Sequence, residues 1–212
     1  SDPLDDSQLI DRLAQSEQSR IPRWVLLKPL DKSHPEEARG ADLVRRMVAA
    51  KIGGADAIFA ADVFNEDYGL LKPNGAPALL FLPWRTTALA LQGTELLGSI
   101  VMPGGSHNYV FARDGEAVVV VWNDEPITEE IYLGERVDMM DIWGVKQRVP
   151  VDRESKRQQI PVTNIPLILR GCSEPVARWR QAVQFEKGRL PSAHAAHRDY
   201  LLGKNTFPQG VS

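Results

Sequence analysis

The patterning of this chain changes once, near Thr94, and that change limits the fold more than any other feature. Before it, apolar residues recur at helical intervals, broken by two short continuous apolar runs. After it, short apolar runs alternate with turn residues, and helical spacing returns only beyond Gly171. Such a chain reads as α/β plus all-β: an α/β segment over residues 1–92, an antiparallel β-sandwich over 93–171, and a helix with a linker over 172–212.

In the first part, Leu9, Ile10 and Leu13 within Asp5 to Gln18 predict an amphipathic helix. The run Ile21 to Leu27 follows, and its near-continuous apolar character suits a strand buried on both faces. Ala41, Val44, Val48 and Ile52 recur at three- and four-residue intervals, flanked by Leu43 and Met47. They predict a helix over Glu36 to Ile52, with Pro35 in its first turn, Glu36 and Glu37 in the favourable acidic positions and Gly53-Gly54 as the stop. Ala57 to Ala61 predicts a second buried strand, and Ala78 to Leu91 a further helix that Pro83 kinks or starts. Two strands joined through a helix of this length imply a parallel pair. A parallel pair alone cannot bury both faces, so more sheet must come from elsewhere in a longer chain, from a second copy, or from the following domain.

From Thr94 onward, eight short runs read as strands: 96–102, 108–113, 117–122, 129–133, 137–142, 146–151, 157–162 and 167–170. Asp114-Gly115 between two apolar runs is a strong hairpin signal. Strands this short and this closely spaced predict an antiparallel sandwich. Glu174 to Gln184 is helical in pattern, with Val176, Trp179, Ala182 and Val183 apolar.

Composition excludes several classes. A net charge of −3 gives no field to steer the chain toward nucleic acid or anionic lipid. The basic clusters at 146–157 and 170–189 lack interleaved aromatics and read as solvated faces. One cysteine, Cys172, excludes an internal disulfide and a cysteine zinc cluster. His194 and His197 stand three apart without a third ligand nearby, so no metal and no cofactor is expected. No apolar run is long enough to span a bilayer, and an exported parent would carry its signal upstream of Ser1.

The segment Ala41 to Phe64, followed by Tyr68-Gly69-Leu70-Leu71-Lys72-Pro73-Asn74-Gly75-Ala76-Pro77, resembles the end of a glycoside-hydrolase (β/α)8 barrel. There a G-L-L-x-x-D/N-G-x-P segment and a helix follow the last strand and lead into a small β-sandwich. Asp141-Ile142-Trp143-Gly144 and Ile165 to Leu169 are similar to parts of that sandwich, and the tail from Arg189 resembles the entrance to a further domain. The resemblance implies that residues 1–92 supply helix six to helix eight of a barrel belonging to a large multidomain protein. It also implies a nucleophilic glutamate near the end of strand seven. This sequence has Lys28, Pro29, Leu30 and Asp31 there, and the acid partner expected on strand four is absent. Glycosidase chemistry needs two carboxylates at a set separation, so the expected role is a non-catalytic segment of a carbohydrate-active protein.

Two alternatives stand beside it. Asp31, Asp62 and Glu66 are the candidate acids of a small glycosidase; Asp62, Glu66 and Asp67 are also candidates to bind sugar hydroxyls or a cation, with ordinary capping and turn positions the favoured reading. Trp122 and Trp143, at strand ends, are the candidate sugar-stacking faces of a carbohydrate-binding module. Lys28 is placed to pair with Asp62. The partners expected are carbohydrate, and either the rest of a parent chain or a second copy to cover the open sheet.

Overall fold

The computed structural model of the protein describes residues 6–15 and 22–186. Its first part runs α1 (Asp6–Gln15), β1 (Trp24–Leu27), α2 (Glu36–Ile52), β2 (Ala57–Ala60) and α3 (Phe81–Leu91). β1 and β2 pair in parallel, with Trp24 opposite Ala57 and Leu27 opposite Ala60. The order is the one that the patterning predicts.

Local chemistry explains the helix ends. Pro35 is the residue before α2 rather than within it, and its carbonyl accepts the Arg39 N–H. At the other end Gly54 adopts φ +78, a conformation costly for any residue with a Cβ, and its N–H closes on the Lys51 carbonyl. Pro83 does not kink α3. The helix begins at Phe81, so Pro83 falls in the first turn, where a backbone N–H would have no helical partner anyway.

α2 is buried on two opposite sides. Leu43, Met47 and Ala50 pack with Val25 and Leu27 of β1, while Val44, Val48, Ala49 and Ile52 pack on the β region. Each such side chain stabilises the fold by about 1.5–3 kcal/mol for the larger ones. Gly40 sits where a Cβ would lie 2.8 Å from Ile142, so its lack of a side chain sets how closely the helix approaches the sheet.

The strand from Ile21 is expected to be buried on both faces, and it is not. Val25 and Leu27 point inward, whereas Trp24 is 71% and Leu26 68% exposed. Phe59 on β2 is 46% exposed beside Trp24, their ring centroids 5.5 Å apart. Among the described residues no strand pairs with either edge of β1 and β2, and α2 covers one face of the pair.

The second part forms a six-stranded antiparallel sheet in the order β3 (Glu95–Gly98), β4 (His107–Arg113), β5 (Glu116–Trp122), β10 (Leu167–Ser173), β7 (Val137–Met140), β8 (Lys146–Val149). A separate antiparallel pair, β6 (Ile127–Ile131) with β9 (Gln158–Val162), shares an apolar core with one face of it. β5 shows the layering: Ala117, Val119 and Val121 face that core, and Val118, Val120 and Trp122 face α2 and α3. β4 and β5 join through Asp114 (φ +53) and Gly115 (φ +82), the two left-handed residues of a tight hairpin.

Several strand limits differ from expectation for identifiable reasons. β10 does not stop at Arg170, because Gly171 (φ +69) is the irregular residue of a bulge across which pairing continues to Ser173. β3 ends at Gly98 rather than Met102. Beyond it the Asn108 side chain takes the place of a strand, accepting from the Ile100 N–H at 2.9 Å and donating to the Ile100 carbonyl at 2.7 Å. β7 ends before Asp141, whose carboxylate accepts the Val145 N–H and turns the chain. α4 (Glu174–Glu186) docks by Ala177, Arg180 and Gln181, and leaves Trp179 61% exposed, against its expected place on an apolar stripe.

Three buried polar side chains brace the β region. Glu129, fully buried, accepts from the Gly104 N–H (2.7 Å), the Ser106 N–H (3.0 Å) and the Ser106 hydroxyl. Gln158 accepts the Leu133 N–H and donates to the Gly134 carbonyl. Asn108 completes the set. Each is satisfied as burial demands.

Candidate functional site

Because β1 and β2 are parallel, the loops that follow them, 28–35 and 61–80, emerge at the same end. α2 ties both down with buried guanidinium groups. Arg39 donates to the Leu30 carbonyl at 3.1 Å and to the Asp67 carbonyl at 2.7 Å. Arg46 donates to the Lys28 carbonyl at 2.8 Å and pairs with Asp42 one turn earlier. Burial raises the Asp42 carboxyl above the ordinary range, against the pull of the Arg46 charge.

The three candidate acids lie on these loops with different surroundings. Asp31 is exposed and accepts the Ser33 N–H (3.0 Å) and the Ser33 hydroxyl, with His34 Nδ1 3.4 Å away. The Ser33 hydrogen bonds hold its carboxyl down to about 2. That is the chemistry of a turn residue that stays ionised. Asp62 takes a left-handed conformation (φ +41), which Asp tolerates better than most residues, and accepts from Asn65 Nδ2 at 3.1 Å. Glu66 is exposed and lines a groove of about 480 Å³ between the two loops. Asp31 and Asp62 do not line it, and no hydrogen bond joins any two of the three acids among the described residues.

Lys28 does not pair with Asp62. Its ammonium lies 4.8 Å from the centre of the Tyr68 ring, a cation–π contact. Asp67 pairs with Lys32 at 3.4 Å, and both are exposed enough that the pair adds little stability.

The candidate stacking residues fare differently. Trp122 is only 9% exposed; His107 (6.0 Å), Tyr109 (5.8 Å) and the Arg45 guanidinium (5.6 Å) surround its ring. It offers no open face, which corrects the expectation of an exposed strand-end ring. Trp143 is half-buried against α2, α3 and the sheet. The tryptophans with open rings are Trp24 and Trp179. Strand alternation signals Trp24, since it shares a face with Leu26 while Val25 and Leu27 share the other. Cys172 is buried, and that burial pushes its thiol up to about 12. The pair His194 and His197 lies outside the described residues. Among those described, no helix is long and apolar enough to cross a membrane.

Sequence reasoning passed over Lys32, Glu36, Asn65 and Lys72, which line the groove beside Glu66. They come together only through the parallel pairing of β1 and β2, and no local pattern marks them.

No protein-family model matches the chain, and no curated protein matches it. Solved structures do. A family 39 glycoside hydrolase from the gut symbiont Bacteroides cellulosilyticus aligns over 80% of this chain with a TM-score of 0.59 and 14% identity. A family 30 endoxylanase from Clostridium papyrosolvens aligns over 80% with a TM-score of 0.57 and 13% identity. A family 30 subfamily 8 xylanase from Clostridium acetobutylicum aligns over 74% with a TM-score of 0.51 and 9% identity. The chain spans 38%, 46% and 47% of the length of those proteins. The fold is therefore glycoside-hydrolase-like, with mixed helices and antiparallel sheets. At these identities the likeness is one of fold.

Proposed function

We propose that this chain is a non-catalytic segment of a carbohydrate-active, glycoside-hydrolase-like protein: residues 1–92 the closing part of a (β/α)8 barrel, 93–171 its following β-sandwich, and 172–212 a helix and linker. The observation that carries the reading is the exposed face of β1 and β2, where Trp24, Leu26 and Phe59 stand in solvent on a sheet with no further strand at either edge among the described residues. A parallel sheet is stable when both faces are covered. Further strands of a barrel would cover this face and pair both edges at once. In that setting the β region is structural, holding α2 and α3 from behind. The partner is the remainder of a longer chain, or a second copy that buries the same face. Neither metal nor cofactor enters the proposal.

The acids support the same reading. Asp31 and Asp62 are held by hydrogen bonds that shape turns, and neither shares a pocket with Glu66. A glycosidase built on Asp31, Asp62 and Glu66 would need two of them facing one bond. The test is turnover of chromogenic glycosides by the chain as it stands. No hydrolysis is expected, and Asp62→Asn and Glu66→Gln should match the unmodified chain. Turnover that Asp62→Asn abolishes would overturn the proposal in favour of a small glycosidase.

A further inference from the structure

Asn74 and Gly75 form the tip of a hairpin in the loop after β2, and their chemistry differs from that of the other asparagines. Residues 72–75 make a β-turn closed by the Gly75 N–H on the Lys72 carbonyl at 2.8 Å. The Lys72 N–H reaches the Ala76 carbonyl at 2.8 Å, and Leu71 bridges Pro77. Lys72, Pro73, Asn74 and Gly75 are all exposed. Gly75 takes φ +80, and a Cβ built on it would meet nothing within 4 Å, so the tip is open to water and base.

An asparagine followed by glycine can be attacked by its own backbone. The Gly75 nitrogen gives its proton to base and bonds to Asn74 Cγ; the Cγ–Nδ2 bond breaks, and ammonia leaves. Water then opens the five-membered imide at one carbonyl to give aspartate, or at the other to give isoaspartate. The sum is one water taken up and one ammonia released, with no oxidation. The turn acts on this step in two ways. The Ala76 N–H donates to Asn74 Oδ1 at 3.0 Å, which draws electron density from Cγ and favours charge on that oxygen. The Gly75 N–H, in contrast, must leave the Lys72 carbonyl before it can lose its proton. That is one bond at an exposed tip, so its opening is a local event. The other asparagines lack the combination. Asn65, Asn123, Asn164 and Asn205 precede Glu66, Asp124, Ile165 and Thr206, whose side chains hinder the attacking nitrogen. Asn108 is 6% exposed, with its side chain held by the Ile100 backbone.

We propose that Asn74 is a site of spontaneous deamidation, and that the turn treats its two products differently. Aspartate keeps an acceptor for the Ala76 N–H and adds a charge to it. Isoaspartate lengthens the main chain by one carbon, so the pairing of Lys72 with Ala76 loses its register. The proposal stands apart from the carbohydrate-active reading and survives its failure. The test is incubation of the full chain in mildly alkaline buffer, followed by tandem mass spectrometry of its peptides and amide NMR. The mass gain of an amide-to-acid change is expected at Asn74 ahead of every other asparagine. It should be faster than in mildly acidic buffer, and about fivefold faster again in urea, the scale of one net hydrogen bond. Asn74→Ser should abolish the gain at this position with the far-UV circular dichroism unchanged. The Lys72 amide should exchange faster as isoaspartate accumulates, and should stay protected in Asn74→Asp, which supplies the aspartate form alone. An Asn74 that stays intact in the folded chain while it converts in urea, or conversion no faster than at Asn65, would overturn the site. A Lys72 amide that exchanges alike in both products would overturn the difference between them.

Discussion

The two regions of this molecule treat a strand differently. In the β region, β5 is covered on both faces, its even-numbered valines by α2 and α3 and its odd-numbered ones by the core shared with β6 and β9. In the α/β region, β1 has an equally apolar sequence and is covered on one face only. Apolar content is the same in kind; the number of neighbouring layers is not. A continuous apolar run thus reports that two covers are wanted, not that both belong to the same stretch of chain.

The contrast can be broken most sharply at the join. Phe111 is fully buried in the core that α2, α3 and the sheet share. Phe111→Ala should cost about 3–5 kcal/mol, and urea unfolding followed by circular dichroism and tryptophan fluorescence should shift as one transition. Two separate transitions would mean that the regions are independent bodies that merely touch.

Inside the β region, Glu129→Ala leaves the Ser106 and Gly104 N–H groups without their acceptor and should cost about 2–4 kcal/mol. Chemical denaturation measures it, and a change below a few tenths would show that water replaces the carboxylate freely. The α/β region should answer differently. Trp24→Ser combined with Leu26→Ser removes side chains that touch little in the folded chain, so the midpoint of unfolding should barely move. Light scattering should instead report less self-association. If the double variant unfolds easily, the bare face is already covered in solution within one copy.

The smallest effect concerns Asp31. Its carboxyl is held down to about 2 by Ser33, below the ordinary value of 3.8. A depressed carboxylate contributes above its unfolded value and loses that contribution as pH falls from about 4 toward 2. The Ser33 amide resonance should therefore titrate near 2, and Asp31→Asn should erase the titration without altering the global fold.

How far these features were legible in the sequence depends on their range. α2, its glycine stop and the Asp114-Gly115 hairpin follow from residues within a few positions of one another, and each lies where the pattern put it. In the sequence the bulge at Gly171 looks like a strand end, because glycine punctuates both. Burial of Trp122 depends on His107, Tyr109 and Arg45 from two other elements, and a strand-end position says nothing of that. The groove and the seat of Glu129 are assembled by contacts across 23 or more residues, as the Glu129–Ser106 and Glu129–Gly104 contacts illustrate. Asp31, Asp62 and Glu66 were visible as carboxylates in loops; which of them faces a cavity was not.

α2 deserves a last consequence. It is a party wall, with tenants on both sides, so it lacks the free face on which surface helices accumulate neutral change. Substitutions scanned across 36–52 should find tolerance confined to the first turn, where Glu36 and Glu37 are exposed, and to Lys51 near the end. A helix so confined would drift slowly while the strands and loops around it changed freely. Traces of common descent in this fold should survive there longest.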